Sequence, residues 1–511
     1  GALVAAGGLG LTVHAATALG VRPAIADAVE RFAPLGRVSL AVLRRATDRD
    51  RDGHSGRFGG ADCDDSDPSI NPNALDVPGN GIDEDCSGAD TPAEEPAPPE
   101  EEVAATPARP ARTYNVILIT VDTLRYDLGF AGYPRPVSPR LDELAAKGTV
   151  FERAYSLASY TAKSLGPMLI GRYPSETMRD YEHFTTFYPA NTFLAERLSD
   201  AGAYSFAGHC HYYFRWKTGY AQGFDLWDTS AIAPGMADND SSVTSDRLSD
   251  LALRLLARPE NVTPSRTDDG GGERRFFAWF HYFDPHAQYV AHAEAPRFAL
   301  RKTEGVPPLR AIYDGEVWFT DKHIGRVIDY VWSQPWGEDT AILVTADHGE
   351  AFGEHGHRTH GRELWEPLVR VPLLLYVPGA PPRRVSVKRS HIDIVPTVLD
   401  LMGAPAPKPG ELRGESLLQD VFAEPGAPLE ERDVYVDMPE GPYNDVRRAL
   451  ITGPSPGTKL IHLGGRRYQL YDLAEDPGEE RDLSEDPSKL EPALARLQRF
   501  RGRLSEIAVT R

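Results

Sequence analysis

The sequence predicts an α/β protein, and three observations carry that prediction. "YNVILITVDTLR", "RRFFAWFHYFDPH" and "TAILVTADHGE" are continuous apolar runs, the pattern of strands buried on both faces of a sheet. Each run ends in Asp or His. Helical patterns such as "LDELAAKG", with a glycine stop, alternate with them. Ligands of open α/β sheets bind at the carboxyl ends of the strands, so these polar residues fall where a site belongs.

Four zones follow one another along the 511 residues. Residues 1–46 read as helical. Their start, "GALVAAGGLGLTVHAATALGV", carries no formal charge and has about the length that crosses a bilayer. Its Ala/Gly content and His14 leave three readings open: a membrane span, a signal remnant or a soluble helix. Residues 47–90 are Asp/Gly/Asn-rich and too polar for a core of their own. Residues 91–112 form a Pro/Glu/Ala linker, extended and solvated. Residues 113–505 form one large domain.

The formal net charge of −20 argues against nucleic acid or anionic lipid as a general partner. Most of that charge is local. Residues 48–102 hold 17 acids against 3 arginines, so the remainder has the ordinary balance of a globular enzyme. Of the three cysteines, Cys63 and Cys86 lie in the acidic segment and Cys210 outside it. Pairing of the first two would fit an oxidising compartment; three free thiols is the alternative.

In the acidic segment Asp48, Asp50 and Asp52 alternate and Gly53 follows. Asp62, Asp64, Asp65 and Asp67 form a second cluster, and Asp83 and Asp85 a third. Alternating carboxylates with a glycine for the turn are hard oxygen ligands of the kind Ca²⁺ takes. No bidentate Glu follows at EF-hand spacing and no flanking helices are evident, which excludes an EF-hand. The stretch resembles a bacterial metal-binding repeat built on DxDxDG, DCDD and DxDC. That resemblance implies a Cys63–Cys86 disulfide. Unbalanced carboxylates repel, so folding of this segment is expected to couple to Ca²⁺.

The large domain offers a second oxygen-rich set. Asp122 ends "ITVD", Thr161 opens "TAKSLGPMLIG", and Asp347 and His348 end "TADH". Two carboxylates, a hydroxyl and an imidazole suit a hard or borderline divalent cation. "GYPRPVSPRLDELAAKGTVFERAYS", "YDGEVWFTDKHIGRVID", "HIDIVPTVLDLMG" and "YQLYDLAEDPGEERDLS" join these motifs in an order that resembles the sulfatase branch of the alkaline phosphatase superfamily. The resemblance spans most of residues 113–490. It implies a large mixed sheet flanked by helices, with a smaller C-terminal α+β part.

Carried over residue by residue, the resemblance makes Asp122, Asp347 and His348 metal ligands for one Ca, Mg, Mn or Zn ion. Thr161 falls at the nucleophile of the family's C/S-x-P-S-R motif, which here reads Thr-Ala-Lys-Ser-Leu. His209 and His211 fall at a lysine and a histidine that hold the transferring group. His286 and His360 complete that ring. Asp284, His286 and His360 are an alternative second metal set.

This chain also departs from the family pattern. Thr123 stands in place of a second acid, and Leu165 in place of the motif's arginine; Lys163 is the nearby cation. Family sulfatases oxidise Cys or Ser to formylglycine, and threonine does not undergo that maturation. Thr161 could act directly as the nucleophile.

The expected function is cleavage of sulfate or phosphate esters, on a small-molecule or glycan- or lipid-linked substrate. The alternatives are a membrane-associated phosphoethanolamine- or glycerol-phosphate-type transferase, and a catalytically degenerate, Ca²⁺-stabilised surface protein. The expected location is extracytoplasmic, with membrane anchoring through the N-terminus as an option.

Overall fold

The computed structural model describes residues 12–19, 36–93, 112–181, 186–215, 218–233, 243–262, 274–296, 308–442 and 444–507, with isolated positions between 25 and 35 and at 509. Its centre is a nine-stranded mixed sheet. The apolar runs form β1 (Asn115–Val121), β5 (Phe276–Tyr282) and β6 (Thr340–Ala346), each buried along its whole length. The other strands are β2 (Thr149–Tyr155), β3 (Tyr204–His209), β4 (Leu226–Asp228), β9 (Arg370–Val371), β10 (Leu373–Tyr376) and β11 (Arg383–Ser390). The order is β11-β2-β10-β6-β1-β5-β3-β4, with β9 beside β2. Burying each large aliphatic or aromatic side chain of the central strands contributes about 1.5–3 kcal/mol, which is why these runs take the middle of the sheet.

Register positions the site. β1 runs parallel to both β5 and β6, and Val121 pairs with Tyr282 on one side and Ala346 on the other. The next residues, Asp122 and Asp347, therefore leave the sheet side by side. On the far side of β5, His209 pairs with His281. All these chain ends emerge at one edge.

Helices α2 (Pro139–Ala145), α3 (Thr161–Ile170), α4 (Leu194–Asp200), α5 (Ser245–Leu256), α6 (Pro308–Ser333) and α7 (Ile394–Met402) accompany the sheet. α2 stops at Ala145, ahead of the glycine stop expected at Gly148. A second, antiparallel sheet is built from β12 (Val434–Met438), β13 (Arg447–Thr452), β14 (Thr458–His462) and β15 (Tyr468–Asp472), followed by α8 (Pro487–Arg501). Between the sheets lies a core of Leu364, Trp365, Leu368, Val436, Ala449 and Ile461. A short ribbon, β7 (Ala351–Phe352) with β8 (Arg358–Thr359), leads from the strand end of β6 into that core.

The N-terminal part differs from expectation at one point. A helix, α1 (Gly36–Thr47), runs directly into Asp48, so the first acidic loop does have a helix on one side. Residues 12–19 are also helical, and Ala16 packs with Leu40 and Phe58. Among the described residues no helix is long and apolar enough to cross a membrane; residues 1–11 and 20–21 of the candidate span lie outside them.

Candidate active site

Asp122, Asp347, His348 and Thr161 are brought together, all buried. Thr161 Oγ1 lies 3.2 Å from His348 Nε2 and 3.5 Å from Asp122 Oδ2. His348 Nε2 is 3.8 Å from Asp122 Oδ1 and 3.6 Å from Asp347 Oδ2. One donor atom from each of Asp122, Asp347 and His348 fits within 4.8 Å of the others.

Thr161 is held there by α3, whose ten residues are all buried. The helix ends at Gly171 with φ 78°, a left-handed C-cap that glycine adopts without strain. Leu165, at the place of the family's arginine, is fully buried in the main core.

The hydrogen bonds decide which atoms face inward. Asp347 Oδ1 accepts from the backbone N–H of Thr123 (3.1 Å) and of His348 (2.8 Å). Asp347 Oδ2 and Asp122 Oδ1 are buried with no hydrogen-bond partner. His348 Nδ1 lies 2.9 Å from its acceptor, Gly349 O, which puts the proton on Nδ1 and the lone pair on Nε2. Two orphaned carboxylate oxygens and an imidazole lone pair fit a cation, because buried anions without donors are otherwise costly.

The two acids respond oppositely. Burial and the charge of Asp122 push Asp347 up. Burial also pushes Asp122 up, but His286, His281 and His348 outweigh it and hold Asp122 well below the usual carboxylate range. Thr123 Oγ1, where the family's second acid stands, is likewise buried and unpartnered, on a residue with φ 54°.

Around this centre stand four histidines. His360 Nδ1 is 3.2 Å from Glu350 Oε1. Burial opposes its charge, but Glu350 wins and holds it up at about 9. Its ring lies 4.5 Å from that of His348 and 4.9 Å from that of His286. Burial lowers His286 and His211, so both are neutral near pH 7. Both stack on the Phe283 ring, His211 at 4.0 Å and His286 at 4.6 Å. The fourth, His281, was missed by the sequence reading of the site. Its Nε2 lies 3.6 Å from Asp122 Oδ2, and Thr120 Oγ1 sits 2.8 Å from its Nδ1. A polar residue within the otherwise apolar "FFAWFHY" was the available signal. Glu350, which sets the charge of His360, was also missed. It follows the Asp-His pair by two residues.

Three expected residues are used differently. His209 is fully buried among Phe214, Trp227 and Trp279, with neither ring nitrogen hydrogen-bonded. Lys163 donates to Pro439 O (2.7 Å) and Asn444 Oδ1 (2.5 Å), tying α3 to the loop after β12. Asp284 accepts from Thr244 and from the backbone N–H of Ser245, capping α5. It is therefore not free for a second metal with His286 and His360.

The acidic segment contains the expected Cys63–Cys86 disulfide. Asp48, Asp50 and Asp52 form one group with converging donor atoms, and Asp76, Asp83 and Asp85 another. Burial and the charges of Asp52, Asp65 and Asp50 raise Asp62 to about 7, and its Oδ2 and that of Asp50 are buried without donors. That is a fit for a cation in the first group. Asp64 and Asp67 instead accept from Ser66 and Ser69 in exposed turns. Asp65 accepts from the Arg49 backbone. Asp85 turns inward: it is fully buried, 2.5 Å from Arg501 Nη1 and 3.5 Å from Arg448 Nη1. Tyr468 donates to Ser87 O at 2.6 Å. The segment is thus seated on the C-terminal sheet. Asp76 was not among the expected ligands, because it stands alone in sequence.

Fold and site define an alkaline-phosphatase-like core with a Thr-Asp-Asp-His centre at the strand ends. A model of the sulfatase family matches residues 114–404, and this chain belongs to that family. A model described as the C-terminal part of N-sulphoglucosamine sulphohydrolase matches residues 353–504, and a metal-binding motif matches residues 62–91. A Δ4,5-hexuronate-2-O-sulfatase of Bacteroides thetaiotaomicron is 23% identical, over 73% of this chain and 85% of its own. The choline-sulfatase of Rhizobium meliloti is 24% identical, over 73% and 83%. Among solved structures, the phosphonate monoester hydrolase of Silicibacter pomeroyi superposes with a TM-score of 0.56 at 21% identity, over 77% of this chain and 96% of its own. A 2-O glycosaminoglycan sulfatase gives 0.60 at 20%, over 77% and 92%.

Proposed function

We propose that this chain hydrolyses sulfate or phosphate esters with Thr161 as the nucleophile and one divalent cation held by Asp122, Asp347, His348 and the Thr161 hydroxyl. One observation carries the reading. Thr161 Oγ1 is 3.2 Å from His348 Nε2 and 3.5 Å from Asp122 Oδ2, beside acid oxygens that no donor satisfies. A bound cation would neutralise those acids and acidify the hydroxyl.

The chain's own residues supply the rest. Thr161 is the first residue of α3, so the positive end of the helix faces the charge that develops during transfer. Thr161 Oγ1 donates towards Asp122 Oδ2, and the hydroxyl gives up its proton to solvent as it attacks. The Thr161 oxygen bonds to sulfur or phosphorus as the bond to the leaving oxygen breaks. His360, kept protonated by Glu350, gives that oxygen its proton. His211 and His286, neutral, hydrogen-bond the transferring group. Water then attacks the same sulfur or phosphorus and gives a proton back to His360, while the Thr161 oxygen leaves and takes a proton from solvent, so that the inorganic anion is freed and the threonine hydroxyl restored. The names of the relatives support small-molecule or glycan esters as substrates, and the disulfide supports an extracytoplasmic setting.

The test is the mass of the Thr161 peptide after reaction with matched sulfate, phosphate and phosphonate esters in Ca²⁺, Mg²⁺, Mn²⁺ or Zn²⁺. A sulfuryl or phosphoryl adduct on Thr161 is expected. No adduct and no released anion across the panel would overturn the reading.

A further inference from the structure

A second feature lies beside the mouth of this site and belongs to none of its steps. The ribbon β7–β8 carries Arg358, then His360, Gly361 and Arg362. Arg358 and Arg362 each stand two residues from His360, so their Cα atoms lie within about 7 Å of its own by chain length alone. Gly361, with φ 85°, pins this stretch against the residue before Thr161: a Cβ there would lie 3.2 Å from Tyr160 Cδ2. The backbone that carries the two arginines is therefore held against the residue next to Thr161.

They share a polar cavity of about 270 Å³ with Arg37, which comes from α1. The acids that line it have other partners. Glu363 pairs with Arg447 at 3.0 Å, Glu30 pairs with Arg44 at 2.5 Å, and Asp445 lies 3.9 Å from Arg447. Among the described residues Arg37, Arg358 and Arg362 form no ion pair. Burial and the neighbouring Arg37 lower Arg362, against a smaller opposite pull from Asp445 and Glu363. Three arginines gathered at one cavity, outside the ion pairs that its three acids make, present exposed guanidiniums to one space, where an oxyanion can join them.

We propose that Arg37, Arg358 and Arg362 form a subsite for a second anionic group of the substrate, a sulfate or carboxylate held next to the ester being cleaved. The inference rests on the ester-hydrolase reading above and narrows its substrate class to esters carrying more than one negative charge. Guanidinium is suited to this role, since its fork pairs bidentately with oxyanions. The cavity's His355 and His357 rings, which lie 4.2 and 5.8 Å from the Trp365 ring, offer the polar and aromatic surface of a sugar-sized ligand site. The N-terminal helix thereby becomes part of the binding surface of the catalytic domain.

The experiment uses the full chain with Thr161→Ala, so that ligand is bound without turnover. Calorimetric titration with a disulfated disaccharide and with its monosulfated form gives an affinity ratio. The expected ratio is about tenfold or more in favour of the disulfated form, the scale of one charge-assisted hydrogen bond. It should collapse towards one in Arg358→Gln/Arg362→Gln, fall by about threefold in Arg37→Gln, and shrink as salt rises. A ratio near one in the parent, or one unchanged by the double substitution, would overturn the subsite. The three side chains are exposed, so folding does not confound the variants. The ester-hydrolase reading fails separately, through the absence of adduct and released anion in the Thr161-containing chain.

Discussion

Two acidic clusters in this molecule look alike in composition and differ in how they are held. At the catalytic centre Asp122 and Asp347 are consecutive partners at the ends of two paired parallel strands. In the N-terminal segment Asp48, Asp50 and Asp52 lie on a loop, where their own carboxylates accept backbone N–H groups of the next turn. The first cluster is fixed by the register of a buried sheet. The second is fixed by turns, one disulfide and one inward-facing carboxylate, so its geometry leans on whatever cancels its charge. Rigidity there has to come from outside the loop.

The largest expected effect breaks the first cluster without touching its frame. Thr161→Ala should lower kcat by at least about 10³-fold, the scale of losing a nucleophile, while thermal unfolding stays close to the parent. Retention of more than a tenth of the activity would remove Thr161 from the chemistry.

Next in size is the anchor of the second cluster. Asp85→Ala takes from the buried Arg501 and Arg448 one of their two carboxylates and leaves Glu506, a loss bounded by the about 3–5 kcal/mol of a broken buried pair. Hydrogen exchange across residues 48–90 would register it as a loosened segment. The pH dependence has a definite sign. Burial works against the Asp85 anion, but Arg501 and Arg448 hold it below its ordinary value. Its contribution is therefore complete above the unfolded carboxylate range near about 4 and is lost as pH falls below that. Parent and Asp85→Ala should converge in stability in acid; a constant difference would sink the pairing.

Removing the cross-link should cost slightly less. Cys63→Ser with Cys86→Ser opens a loop of sequence separation 23, worth about 3 kcal/mol. Urea unfolding followed in the segment would show the shift, and an unchanged midpoint would mean that docking alone holds it.

The smallest effect sharpens the contrast most. Asp62 is raised to about 7 by burial and by Asp52, Asp65 and Asp50. Asp62→Asn removes one repelling charge. With a chelator present the variant should be more stable than the parent by up to about 1 kcal/mol, and with Ca²⁺ present less stable, because the parent gains from binding. The same sign in both conditions would exclude a cation at this group.

Much of the catalytic centre was legible because its residues interrupt strong local patterns. Asp122, Asp347 and His348 end apolar runs, and Thr161 opens an apolar helix. Other residues were legible only as types. Lys163 is one turn-step from the nucleophile in sequence, yet its amine reaches the C-terminal loop. Asp284 follows a buried strand much as Asp122 does, yet it caps a helix from a different part of the chain. His281 and Glu350 gain their roles from neighbours 159 and 10 residues away in sequence, Asp122 and His360.

By itself, then, the sequence determined the buried strands, the residues that close them, and the acidic segment with its cysteines. Those properties are set by periodicity and by short-range chemistry. Only the tertiary structure decided that Asp122 and Asp347 emerge as neighbours, that Asp85 turns inward to Arg501, and that α1 brings Arg37 to the rim of the catalytic domain. A side chain's charge is written in the sequence; the partner that satisfies it is chosen by register and packing across hundreds of residues.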